Sequence, residues 1–170
     1  MAQLKDYKPL FLAAAEARDL EVISAMAQDA ITKIGDIVWL PAQRRFALVA
    51  NRFVWEAAAD KERGPFARVR TGLHFDDVIA VRQQSLRLDA PGAVLNLLSV
   101  EPVPQEGRDG DSAEAEFGTG NHDTGAPQEI DLVFAGGGTI RLTVEAISAE
   151  LRDFSDPWVT RSKPTHQTAD

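Results

Sequence analysis

The alternation between Ile130 and Ala146 constrains this chain more than any other feature. Asp131 and Val133 separate Ile130, Leu132 and Phe134; Arg141, Thr143 and Glu145 separate Ile140, Leu142, Val144 and Ala146. Residues two apart share one face of a strand, so each run has an apolar side and a mainly polar side. Gly136-Gly137-Gly138 lies between the runs and supplies a tight turn. The pattern predicts a hairpin with one buried and one wet face, and hence an antiparallel sheet. A glycine run can also cradle phosphate, but that needs a helix N-terminus directly after it. A strand follows here, so the glycines read as a turn.

The rest of the chain fits the same class. Pro9 to Ala14 reads as a first strand. Ile34 to Leu40 and Arg45 to Glu56 read as partner strands joined through Pro41-Ala42-Gln43-Arg44. Phe46, Leu48 and Ala50 share one phase, whereas Phe53 and Trp55 share the other, which predicts a bulge near Asn51-Arg52. Phe66 to Phe75 and Val78 to Arg82 are strands around Asp76-Asp77, with Leu86 and Leu88 extending or following the second. Val94 to Val100 follows Pro91-Gly92. Ile147, Leu151 and Phe154 fit a helix as well as a last strand, and both readings stay open. One helix is predicted, with Asp19 as N-cap and Leu20, Ile23, Met26, Ala27 and Ala30 on one face. About eight strands and one helix make an α+β fold: a curved antiparallel sheet, as a small barrel or sandwich, with the N-terminal amphipathic helix packed on it.

Charge narrows the function classes. The chain has 26 acidic and 18 basic side chains, net −8. A general nucleic-acid binder needs a basic face, and an anionic membrane surface repels such a chain, so neither partner is expected. With no cysteine there is no disulfide, thiolate zinc site or cysteine nucleophile. Charges interrupt every apolar run from Met1 to Arg18, and nothing approaches the ~20 apolar residues of a membrane span, which points to a cytoplasmic location. Between Pro102 and Pro127, Glu106, Asp109, Asp111, Glu114, Glu116 and Asp123 face a single base, Arg108. So polar a segment reads as a mobile acidic loop over 104–128, inserted between two strands of a single domain spanning 1–170. The tail 162–170 is expected to be disordered. Asp109 to Glu114 resembles half a calcium loop, but its central glycine and closing glutamate are out of place, so it reads as solvated loop.

No constellation of known chemistry appears. His74, His122 and His166 are not spaced to share a metal, and no serine sits in a G-x-S-x-G elbow. No catalytic residue, metal or cofactor is assigned. Three clusters remain as candidate binding residues. Arg52 and Trp55, with Asn51 and Glu56, form either a recognition strand or a core tryptophan beside a paired arginine. Arg68 and Arg70 share one face of a strand, and Arg82 and Arg141 can join them as an anion site or be matched by nearby acids. Trp158 and Arg161 either pin the C-terminal segment or anchor a partner.

The segments DLEVISAMAQDAI, RRFALVANRFVWE, LVFAGGGTIRLTVE and DPWVTRSKPTH together resemble an alphaproteobacterial family known only as domain of unknown function 2948, over roughly Leu4 to His166. The resemblance implies a small cytoplasmic bacterial protein and brings no activity with it. Two functions are therefore carried forward. The first is a non-catalytic protein-interaction or regulatory module that binds a protein partner through a sheet edge or the Trp/Arg surface that includes Trp55, Trp158 and Arg161. The alternative is a binding domain or enzyme for an anionic metabolite, held where Arg52, Arg68, Arg70, Arg82 and Arg141 converge in an arginine-lined pocket at the mouth of the curved sheet. Either is compatible with a twofold homodimer through an unpaired edge strand.

Overall fold

The computed structural model describes residues 7–58, 63–105 and 125–165. Its elements run β1 (Phe11–Ala14), α1 (Ala17–Ala27), β2 (Ala30–Leu40), β3 (Arg45–Phe53), β4 (Phe66–Phe75), β5 (Val78–Gln84), β6 (Val94–Pro102), β7 (Gln128–Phe134), β8 (Thr139–Val144), β9 (Ala149–Asp153) and β10 (Trp158–Thr160). They form one ten-stranded antiparallel sheet in the order β1-β9-β4-β3-β2-β6-β7-β8-β5, with β10 added alongside β4. This is the curved α+β sheet that the alternation predicts, and it is not closed.

Its curvature comes from two bends made together. Strands β4 and β5 are one run interrupted at Asp76-Asp77, where Asp77 is left-handed (φ 57°). Strands β8 and β9 are likewise one run interrupted between Val144 and Ala149. The ladder survives the corner: Phe75 faces Ala149, Asp76 N–H donates to Ser148 O (2.8 Å), Glu145 N–H donates to Asp77 O (3.0 Å), and Val78 faces Val144. The corner carries β5 round to the turn between β2 and β3, where Val78 N–H donates to Arg44 O (2.9 Å).

Strand β2 serves both halves. Ala30 to Lys33 pair with β6, and Ile31, Thr32 and then Ile37 to Leu40 pair with β3. Between Thr32 and Ile37 the register slips, with four residues of β2 set against one of β3, Val49. Gly35 lies in that slip and donates its N–H to Pro91 O (2.8 Å). A Cβ there would stand 3.1 Å from the same oxygen.

The concave side is filled by one apolar core drawing on β1 to β9 and on α1. The helix packs on β6, β1 and β3 through Leu20, Ile23 and Ala27, and Ser24 Oγ accepts the Val100 N–H (2.9 Å). It starts earlier than its pattern predicts. Asp19 is the third helical residue rather than the N-cap, and its carboxylate accepts the N–H groups of Ala15 (2.9 Å) and Glu16 (3.1 Å). It also stops at Ala27, because Asp29 takes a left-handed conformation (φ 61°) and sends Ala30 into β2. Residues 149–153 are strand, which decides the open alternative, and β10 is a strand the pattern did not predict. Most of the acidic segment 104–128 and of the tail 162–170 lies outside the described residues, as do His122, His166 and the run Asp109 to Glu114. Among the described residues no helix is long and apolar enough to cross a membrane, and no cluster of three metal-ligating side chains occurs.

Candidate functional site

Arg52 is at the inner surface of β3. The register of β3 against β4 is unbroken from Phe46 to Phe53, so the predicted bulge at Asn51-Arg52 is absent. The phase change arises because Arg52 itself takes the inward position after Phe46, Leu48 and Ala50, fully buried. All five of its N–H donors are used. Nε and Nη2 grip Asp153 (2.8 and 2.6 Å), Nη1 and Nη2 grip Glu56 (3.0 and 2.7 Å), and Nη1 also reaches Phe53 O (3.3 Å). Asp153 further accepts the Tyr7 hydroxyl (2.7 Å) and the Leu10 N–H (2.9 Å). Burial alone would raise the Asp153 carboxyl; the bonds from Arg52, Leu10 and Tyr7 outweigh it and hold it below the usual carboxylate range. Burial and the bond to Asp153 push the Tyr7 phenol far above its ordinary value. Arg52 is thus occupied by the chain's own carboxylates and locks β3 to β9.

Trp55 and Arg68 act on the opposite, outer surface. Phe53, Phe66 and Ala58 make a small second core there, with Trp55 against Phe53 (ring centroids 4.6 Å). The Trp55 indole N–H donates to Gln28 O (2.9 Å), tying the end of β3 to the end of α1. Arg68 lies over the Phe53 ring and donates to Asn51 O (3.0 Å) and Asp29 O (3.2 Å). Burial pushes its guanidinium down, partly offset by Asp29.

From Arg68 a strip runs outward across the same surface. Ala67, Val69, Thr71 and Leu73 point inward, which leaves Arg68, Arg70 and Gly72 on the outside of β4. Trp158 is opposite Arg68, 40% exposed. Phe154, 56% exposed, donates its N–H to Arg70 O (3.0 Å) and lays its ring across Gly72. Arg152 is opposite Gly72 on β9, and Phe11, 56% exposed, is opposite Arg152 on β1 with its ring under the guanidinium. Aromatic and arginine side chains therefore alternate: Phe11, Arg152, Phe154, Arg70, Trp158, Arg68. Arg161 follows β10, exposed. Arg63, Arg70, Arg152 and Arg161 carry no ion pair among the described residues, whereas Arg18, Arg44, Arg45, Arg52, Arg82, Arg87 and Arg141 each have one.

Arg82 and Arg141 are elsewhere. They face each other across β5 and β8, and each has its own carboxylate: Arg141 grips Asp131 through two bonds of 2.8 Å, and Arg82 meets Glu129 (2.8 Å). The five arginines considered as one anion pocket are thus divided among an interior lock, an outer strip and a set of cross-strand pairs. Sequence reasoning found Trp55, Arg68, Arg70, Trp158 and Arg161 at this end of the molecule, and missed Phe11, Arg152 and Phe154. Their alternation with arginine was readable only in part, because the strip is assembled from four strands.

The family model described as a protein of unknown function (DUF2948) matches residues 10–166. The chain belongs to that family. The matched span takes in the Arg52 lock and the whole strip from Phe11 to Arg161. No curated protein and no solved structure matches the chain.

Proposed function

We propose that this DUF2948 chain is a cytoplasmic, non-catalytic interaction module that docks an acidic, aromatic-containing segment of a protein partner on the outer strip. One observation carries the reading: exposed Phe11, Phe154 and Trp158 alternate with arginines, of which Arg70 and Arg152 have no ion pair among the described residues. Aromatic and arginine side chains supply most of the energy in protein interfaces. An unpaired guanidinium beside an aromatic offers a carboxylate both charge and a bidentate geometry. A second copy is the weaker occupant, because a twofold contact here sets Arg70 and Arg152 against like charges.

The test is a titration with a synthetic glutamate-rich peptide carrying two phenylalanines, set against its glutamine counterpart. The acidic peptide binds and the glutamine peptide binds at least tenfold more weakly. Arg70→Glu abolishes binding, and Arg82→Glu, on the paired surface, leaves it intact. Equal binding of both peptides, an unaffected Arg70→Glu variant, tighter binding of an oligouridine, or dimerisation through this surface on dilution analysis overturns the reading.

A further inference from the structure

The unclosed seam of the sheet holds a second site. Past Lys33, β2 has no strand on the edge that β6 used, and β5 has β8 on one edge only. The gap between these two edges is closed off at both ends by the neighbouring chain. At one end Val78 N–H donates to Arg44 O (2.9 Å); at the other Gly35 N–H and Ile34 N–H donate to Pro91 O and Ala93 O (2.8 and 3.0 Å). Between the ties is a cleft of about 400 Å³. Ile37, Trp39, Phe46, Val81 and Ile140 form its walls, with Leu88 and Gln83 at the rim.

Three features define what fits. The volume is in the ~300–1,000 Å³ range of small-molecule sites. The tied ends stop a peptide from threading through as an added strand. Among the described residues no charged side chain lines the cleft, so a free anion or cation there would lose its hydration without compensation. Its polar side chains offer donors. The Trp39 indole N–H has no acceptor among the described residues, and Gln83, whose Oε1 accepts the Leu86 N–H (3.1 Å), keeps its amide N–H groups. Leu88 lines the cleft and still keeps 59% of its surface exposed.

We propose that the β2–β5 cleft binds a neutral, largely apolar small molecule that presents one hydrogen-bond acceptor, of the acyl ester or amide class. The chain buries between the two edges, Trp39 and Gln83 donate to the carbonyl, and Leu88 closes over it. This is a different ligand class from the anionic metabolite considered from the sequence, and a different surface from the docking strip.

The experiment is an NMR titration of the full chain with methyl octanoate as probe, reading the Trp39 indole N–H, assigned from the spectrum of Trp39→Phe. The resonance moves saturably and downfield. Octanoate, which adds an unpaired charge, binds at least tenfold more weakly. Leu88→Ser, a change at an exposed position that leaves folding intact, weakens the ester about tenfold through lost apolar contact. Trp39→Phe, followed by the Val81 amide, weakens it roughly fivefold through one lost hydrogen bond. Arg70→Glu leaves the titration unchanged, so failure here and failure of the docking reading are separable. Absence of a saturable shift, octanoate binding as tightly as its ester, an unaltered Leu88→Ser variant, or the same resonances moving on dilution of the protein alone, which would put a second copy in the cleft, overturns the proposal.

Discussion

Arg52 shows how a single residue can be placed by pattern and misread by chemistry. The period-two alternation of β3 puts it inward, but an inward arginine looks like an error until its partners are known. Asp153, 101 positions away, is half of that answer, and nothing in the sequence links the two. The pair is complete, so removing one member is far costlier than the pair's net worth. Arg52→Met, which leaves Asp153 and Glu56 without their cation, should lose about 3–5 kcal/mol in urea unfolding. The same cluster sets the pH window. The Asp153 carboxyl is depressed in the folded state, so its contribution is intact above the ordinary value of about 4 and is lost as pH falls through the lower folded value. The Tyr7 phenol is raised, so its contribution is intact below about 10 and is lost as pH rises through the folded value. Thermal midpoints should therefore fall on both sides, and Tyr7→Phe should remove the alkaline part of the fall due to this group while the acid limb remains.

At the scale of elements, the clean hairpin was fully legible and its glycines only partly. Gly136 and Gly137 have φ of 87° and 92°, which is what a tight turn asks of glycine. Gly138 answers a different need. A Cβ on it would clash with Leu86 Cδ2, so its bareness lets the segment after β5 rest on the hairpin. Gly138→Ala should displace Leu86 at a cost of about 1–3 kcal/mol and speed amide exchange across residues 85–93, with the β7–β8 register unchanged. Retained protection of that segment would show that Leu86 is not what holds it. Strand β10 was not legible at all, since three residues with no alternation of their own become a strand only through the exposed edge of β4. The helix was legible in its buried face and not in its limits, because a left-handed Asp29 is a backbone choice that side-chain periodicity does not report.

At the scale of the whole molecule, a net charge of −8 hides a segregation. Arginines on the β5–β8 surface are matched by acids, whereas Arg70, Arg152 and Arg161 on the outer strip carry no ion pair among the described residues. Binding of the acidic peptide should therefore weaken about tenfold between 50 and roughly 300 mM salt, with most of the change in the association rate. A salt-independent constant would mean that the aromatic side chains bind alone. Neither this segregation nor the β2–β5 cleft was legible beforehand, because both are relations between strands distant in sequence. The pairing of β1 with β9 is another such relation, and it has a consequence for how the chain is made. Phe11 leaves the ribosome 141 residues before Arg152, the residue it faces, which at about 5–20 residues per second is a wait on the order of ten seconds. Through that interval β1 has the adjacent helix to rest on but no strand to pair with, so its hydrogen-bonding edge stays open until β9 is made, and a factor that shelters strand edges during synthesis would act here.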